Sequence, residues 1–181
     1  AEPVHPRTLE AFSSRFAGVG FDSRAITPVY GLAEATLAVT FSDPRKQPQW
    51  TNFDADQLEM SGVAEITQDG RQIPSLGKPL HGCKLEIRSP EGHVVPDGRV
   101  GRVHVKSPGV MKGYMNRPDA TADTLDRDGW LNTGDTGFLL DGELYLCGRD
   151  KDIVIINGRN HDPALVEQAL DGIEGIRAGC A

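Results

Sequence analysis

Six residues of this chain are of types that can act on a charged substrate, and they fall into three short clusters. In the first, Tyr30-Gly31-Leu32-Ala33-Glu34-Ala35-Thr36, Glu34 offers a hard carboxylate oxygen to a divalent cation whose other ligands are phosphate oxygens. Tyr30 presents a flat apolar ring on which an aromatic heterocycle can lie, and Gly31 lets backbone approach a ligand closely. Each has a plainer alternative: a first-turn glutamate favoured by a helix dipole, and a core tyrosine ahead of a turn. In the second cluster, Gly129-Trp130-Leu131-Asn132-Thr133-Gly134-Asp135, Asp135 closes a turn and can accept two neighbouring hydroxyls at once. An aspartate that only caps its own turn is the competing reading. Arg149 opens the third, Gly148-Arg149-Asp150-Lys151-Asp152, as a fixed fork for oxygen acceptors unless it is spent on Asp150 or Asp152. Lys151 sits in the middle of this short polar run, the composition that hinges use.

The elements that must hold these clusters can be read from periodicity. Leu9, Phe12 and Phe16 fall at helical spacing between Pro6 and Gly18, which predicts a helix over 6–17 with one apolar face. Residues 25–30 read as a short strand and 34–41 as a second helix, so Glu34 stands at a strand's carboxyl end, where open α/β sheets bind ligands. From 77 to 146 the pattern is β, with strands at 83–88, 101–106 and 138–147, the last broken by an Asp141-Gly142 hairpin turn. A short helix falls at 118–125. These strands suggest a small barrel or curled sheet. Residues 42–75 keep no clean period and form a long connection, either functional or a partly folded surface excursion, with Trp50, Phe53, Leu58 and Met60 as packing anchors. Ile153 to Ile156 followed by Asn157-Gly158 reads as strand and turn. Asp162-Pro163 then starts a helix that buries Leu165, Val166, Ala169 and Leu170 and ends at Gly172.

Composition excludes some functions. The 181 residues carry a net charge of -7, with 38% hydrophobic content, enough for a core. No Lys/Arg run exceeds two residues, which argues against nucleic acid and anionic membranes as partners, and the apolar runs are too short for stable membrane insertion. Cys83, Cys147 and Cys180 are scattered and read as reduced thiols in a cytoplasmic protein.

Taken in order, with Gly101-Arg102-Val103-His104-Val105 and Gly109-Val110-Met111-Lys112-Gly113-Tyr114 between the first cluster and the second, and Gly158-Arg159-Asn160-His161 at the end, these motifs resemble those of the adenylate-forming ligases. That superfamily holds acyl-CoA synthetases, luciferases and peptide-synthetase adenylation domains. The wording of the first cluster and of Gly158 to His161 is most similar to the fatty acyl-AMP ligase branch, and the resemblance covers almost the whole chain. It implies a mixed α/β fold: residues 1–76 as the end of a large α/β adenylation domain with an insertion at 42–75, residues 77–148 as a small β-barrel subdomain, and residues 149–181 as a hinge and the start of a small α+β C-terminal lid. It also implies a phosphate loop before residue 1 and a catalytic lysine after residue 181, so that this C-terminal portion alone is inactive.

The activity implied is activation of a fatty acid with ATP and Mg2+ to an acyl-adenylate and pyrophosphate, followed by transfer to the phosphopantetheine thiol of an acyl carrier protein. An acyl-CoA synthetase, with CoA as acceptor, is the alternative within enzymes, and a noncatalytic interaction module is the alternative outside them. The resemblance assigns Glu34 to the magnesium ion, Tyr30 and Gly31 to the adenine together with Glu2 of Ala1-Glu2-Pro3, Asp135 to the ribose hydroxyls, Arg149 to ribose or phosphate, and Lys151 to the hinge on which the lid swings. Many members have threonine immediately before the glutamate. This chain has Ala33 there, so that hydroxyl contact does not carry over, and Thr36 is the candidate substitute.

Overall fold

The computed structural model describes residues 4–150, 154–156, 159–161 and 173. Helix α1 spans Pro6–Ala17, as the spacing predicts. Pro6 takes a first-turn position, where its missing N–H costs nothing, and Gly18 is the C-cap. The helix buries Pro6 alone, and the rings of Phe12, Phe16 and Phe21 gather on one another at centroid distances of 4.6 and 5.2 Å.

Five short strands follow: β1 (Val29–Tyr30), β2 (Thr40–Phe41), β3 (Trp50–Phe53), β4 (Arg71–Pro74) and β5 (Lys78–Pro79). They form two antiparallel sheets, β1-β2-β5 and β3-β4. The helix expected over 34–41 does not form. A single 3-10 turn, Ala33–Ala35, is followed by Thr36 and Leu37 at φ 54° and 77°, and the chain doubles back into β2. Ala35, Leu37, Val39 and Phe41 are also apolar at period two, and strand pairing wins: the Val39 N–H donates to the Tyr30 carbonyl at 3.0 Å. The strand expected over 25–30 is likewise shorter, because Ser23–Ala25 forms a 3-10 turn capped by the Asp22 carboxylate.

Residues 42–75 are a folded unit rather than a surface excursion. Strands β3 and β4 pair from Trp50↔Pro74 to Phe53↔Arg71, and a π-helical turn, Gln57–Ser61, lies between them. Of the expected anchors, Phe53 and Leu58 are buried, Trp50 is half-buried and Met60 is 70% exposed.

The largest sheet holds β6 (Lys84–Arg88), β7 (Gly101–Lys106), β8 (Leu131–Leu140) and β9 (Glu143–Arg149), antiparallel in that order, with the short helix α2 (Pro118–Thr124) between β7 and β8. Asp141 and Gly142 make the predicted turn, at φ 53° and 76°. Strands β6 and β9 are not paired with each other, so the sheet is open among the described residues. Its β9 edge is continued by the chain ahead of β5, through Leu76 N–H to the Leu144 carbonyl and Leu144 N–H to the Gly77 carbonyl, each 2.9 Å.

Alternation along β8 and β9 feeds two cores. Leu131 and Leu144 pack with Val103, Val105, Ile87, Tyr30 and Val39. Phe138 and Tyr145 pack with Phe53, Leu58 and Ile73 of the 42–75 unit. There the Phe138 and Tyr145 rings are stacked at 5.2 Å, and Phe53 meets both edge-on at 5.0 and 5.4 Å. Beyond residue 150, β10 (Val154–Ile156) and β11 (Arg159–His161) pair antiparallel from Val154↔His161 to Ile156↔Arg159, in agreement with a strand ahead of Asn157; Ile153 and the expected Asn157-Gly158 turn lie outside the described residues. The helix expected after Asp162 lies outside the described residues. No described helix is long and apolar enough to cross a membrane.

Candidate functional site

Asp135 is set by a local irregularity in β8. Between Thr136, opposite Arg102, and Asn132, opposite His104, strand β8 has two residues more than β7, so residues 133–135 bulge out of the ladder. Side chains stitch the bulge: the Thr133 hydroxyl donates to the Val103 carbonyl at 2.9 Å, Asn132 accepts from Gly134 N–H at 3.1 Å, and Thr133 accepts from Asp135 N–H at 3.1 Å. Gly134 is at φ 75°, a conformation that most side chains resist. The turn expected before Asp135 is therefore present, embedded inside a ten-residue strand.

The Asp135 side chain is 12% exposed and both its oxygens are held. Tyr30 donates its hydroxyl to Oδ2 at 2.5 Å, and Arg149 donates Nε–H to Oδ1 at 3.2 Å. The Tyr30 ring, expected to offer a flat face, is 5% exposed and packed in the core, so the site receives its hydroxyl. Burial first, and then the Asp135 carboxylate, push the Tyr30 phenol far above its ordinary range, so it remains a donor. Gly31 is required by packing: a Cβ there would lie 1.5 Å from the Leu37 carbonyl oxygen, where the chain doubles back.

Glu34 lies in the 3-10 turn, half-buried. Its Oε1 accepts from the Tyr114 hydroxyl at 2.8 Å, and its backbone carbonyl accepts from Met111 N–H at 2.7 Å. Burial, then this hydrogen bond, raise the Tyr114 phenol above its usual value, so the proton stays on the donor. A magnesium ion carrying a nucleotide triphosphate takes one or two protein carboxylates and fills its shell with phosphate and water oxygens. Glu34 is a donor of that kind, and no cluster of three or more His, Cys, Asp or Glu converges elsewhere among the described residues. Thr36, the candidate phosphate hydroxyl, donates instead to the Gly109 carbonyl at 2.6 Å.

Sequence reasoning paired Arg149 with ribose, phosphate or its acidic neighbours, and the structure gives it Asp135. Three other contacts went unseen. Tyr114 reaches Glu34 across eighty residues; its motif is legible but its partner is not. Arg102 pairs with Asp150 at 2.8 Å. Trp130, just ahead of the bulge, has the Arg88 guanidinium 4.9 Å and the Lys106 ammonium 6.0 Å from its ring centroid. Glu2 and Lys151 lie outside the described residues.

Known proteins are similar to this chain in sequence and fold. The sequence model of the AMP-binding enzyme family matches residues 1–115. A provisionally named acyl-CoA synthetase of Caulobacter vibrioides is 40% identical over 176 residues, covering 94% of this chain and 31% of that protein. A long-chain-fatty-acid–AMP ligase of Mycobacterium tuberculosis is 36% identical over 193 residues, covering 98% of this chain and 33% of that protein. Among solved structures, a fatty acyl-adenylate ligase from work on the E. coli and L. pneumophila enzymes superimposes with a TM-score of 0.85 at 38% identity, covering 93% of this chain and 31% of that one. The adenylation domain of a keto acid-selecting NRPS module, bound to keto acyl adenylate, superimposes with a TM-score of 0.79 at 31% identity, covering 98% of this chain and 35% of that one. The chain thus spans about a third of the length of the proteins it matches. With a family model over more than half its residues and a shared fold along nearly all of them, the chain belongs to the AMP-binding enzymes and has the fold of part of an adenylation domain.

Proposed function

We propose that this chain is part of a fatty acyl-AMP ligase. In the complete protein a fatty carboxylate oxygen attacks the α-phosphorus of ATP, the bond to the β-phosphate breaks, and pyrophosphate leaves. The acyl-adenylate then passes its acyl group to the phosphopantetheine thiol of an acyl carrier protein, releasing AMP. The observation that carries this reading is the Asp135 carboxylate, buried and held at both oxygens, Tyr30 donating to one and Arg149 to the other. A carboxylate fixed in this way can accept the two ribose hydroxyls without reorganising. Arg149 is 67% exposed along its side chain and can turn its remaining donors to the nucleotide. Gly31 lets the chain fold back so that the turn carrying Glu34 stands next to β1, and Glu34, oriented by Tyr114, would hold the magnesium ion. An ion held there would supply positive charge against the phosphates where pyrophosphate leaves. Glu2 would line the adenine pocket, and Lys151 would be the hinge between the two half-reactions.

Support for the fatty acid comes from the relatives named as fatty-acid–AMP and fatty acyl-adenylate ligases. The second reading, an acyl-CoA synthetase, is favoured by the name of the Caulobacter relative. The 42–75 unit would favour the carrier-protein thiol from a fixed platform on β8 and β9.

Fatty acid-dependent pyrophosphate exchange with the complete protein tests the first step. Glu34→Gln is expected to slow it at least about 100-fold, or about 3 kcal/mol of barrier. An unchanged rate and magnesium dependence would remove Glu34 from the metal. Thioester formation with holo carrier protein against CoA separates the two acceptors, and Lys151→Pro is expected to spare adenylate formation while slowing transfer.

A further inference from the structure

The chain leaving β9 is fastened to the Asp135 bulge at two successive residues. Arg149 reaches the Asp135 carboxylate, but at 3.2 Å from a side chain that is 67% exposed, and such a pair alone holds little. The next residue makes the closer contacts. Asp150 N–H donates to the Gly134 carbonyl at 2.9 Å, and its carboxylate meets the Arg102 guanidinium at 2.8 Å, with both side chains about one-third exposed. Arg102 stands on β7 opposite Thr136, so its side chain spans from the far side of the bulge to the exit of β9. Gly134 stands in the bulge at φ 75°, its N–H held by Asn132 and its carbonyl by the Asp150 amide.

We infer that Arg102 is a positioning residue: by holding Asp150 it locks the exit of β9 onto the bulge and so sets the grip of Asp135 on a ribose. This rests on reading Asp135 as the ribose ligand. Arg102 acts through Asp150 and Gly134 and touches no substrate. Breaking the pair frees the Gly134–Asp135 peptide and loosens nucleotide binding, with little effect on the chemical step once ATP is bound.

The test uses the complete protein in fatty acid-dependent pyrophosphate exchange. Arg102→Gln and Asp150→Asn are each expected to raise KM for ATP about 3- to 10-fold with kcat within about twofold. Arg102→Lys should recover part of the loss, and the swapped double variant Arg102→Asp/Asp150→Arg most of it. Thermal melting of the same preparations screens out misfolding, and for any single variant that melts early the swapped variant decides. Unchanged KM in both single variants, equal losses in kcat, or a swap no better than the singles would each overturn the inference. Asp135→Asn, run in parallel, separates the two claims. If it leaves KM for ATP unchanged, the ribose reading falls; if it raises KM while Arg102→Gln does not, only the role of Arg102 falls.

Discussion

Three residues apart on β8, Asp135 and Phe138 serve two regions built on opposite physics. Around Asp135 the contacts are directional and polar: a tyrosine hydroxyl, a guanidinium and a bulge stitched by Thr133 and Asn132. Around Phe138 they are dry and aromatic, with Phe53, Tyr145, Leu58 and Ile73 closing over a fully buried ring. The aromatic side removes apolar area from water and tolerates no gap; the polar side fixes the orientation of a few atoms and leaves them able to meet a ligand. Stability should therefore be concentrated on the Phe138 side and chemistry on the Asp135 side.

Three changes break or sharpen that contrast. The largest expected effect on folding is Phe138→Ala, which empties the middle of the aromatic cluster and should cost about 3–5 kcal/mol in urea denaturation. A loss under about 1 kcal/mol would mean that the 42–75 unit is not clamped by this ring. Tyr30→Phe should cost less, about 1.5–3 kcal/mol, because it removes one hydrogen bond to a charged, buried acceptor while keeping the ring. It should also weaken ATP binding, which Phe138→Ala should not do in the folded fraction. The smallest effects are the pH slopes. Burial and Asp135 raise the Tyr30 phenol above its ordinary 10.0, so the native state holds that proton more tightly than the unfolded chain. The resulting stability is complete below about pH 10 and is lost as pH rises past it, a slope that Tyr30→Phe should remove. At the other end, burial lowers His104 below its ordinary 6.5, so its contribution is complete above about pH 6.5 and is lost as pH falls. His104→Gln should flatten that acid limb, and urea midpoints across pH measure both slopes.

Much of this architecture is legible in the chain because local signals and tertiary pairing agree. The helix at 6–17, the strand at 101–106 and the Asp141-Gly142 turn fall where periodicity and turn chemistry put them. They disagree at 34–41, where helical and strand periods both fit and the Val39–Tyr30 backbone bond decides. The 42–75 unit was opaque for a related reason: its apolar residues answer to Phe138 and Tyr145, more than sixty residues away, and not to one another's spacing. The motifs named Glu34 and Asp135, but motif order says nothing of which side chain orients them. Tyr114 and the Tyr30 hydroxyl come from the three-dimensional meeting of segments far apart in the chain.

The two tryptophans stand one in each region. Trp50 is on β3 in the 42–75 unit, and Trp130, flanked by Arg88 and Lys106, enters the strand that carries Asp135. Paired with Trp50→Phe and Trp130→Phe, intrinsic fluorescence becomes a separate optical channel for each. If the two channels lose signal at the same denaturant concentration, the regions unfold as one cooperative unit; if they separate, the molecule has two foldons sharing a strand.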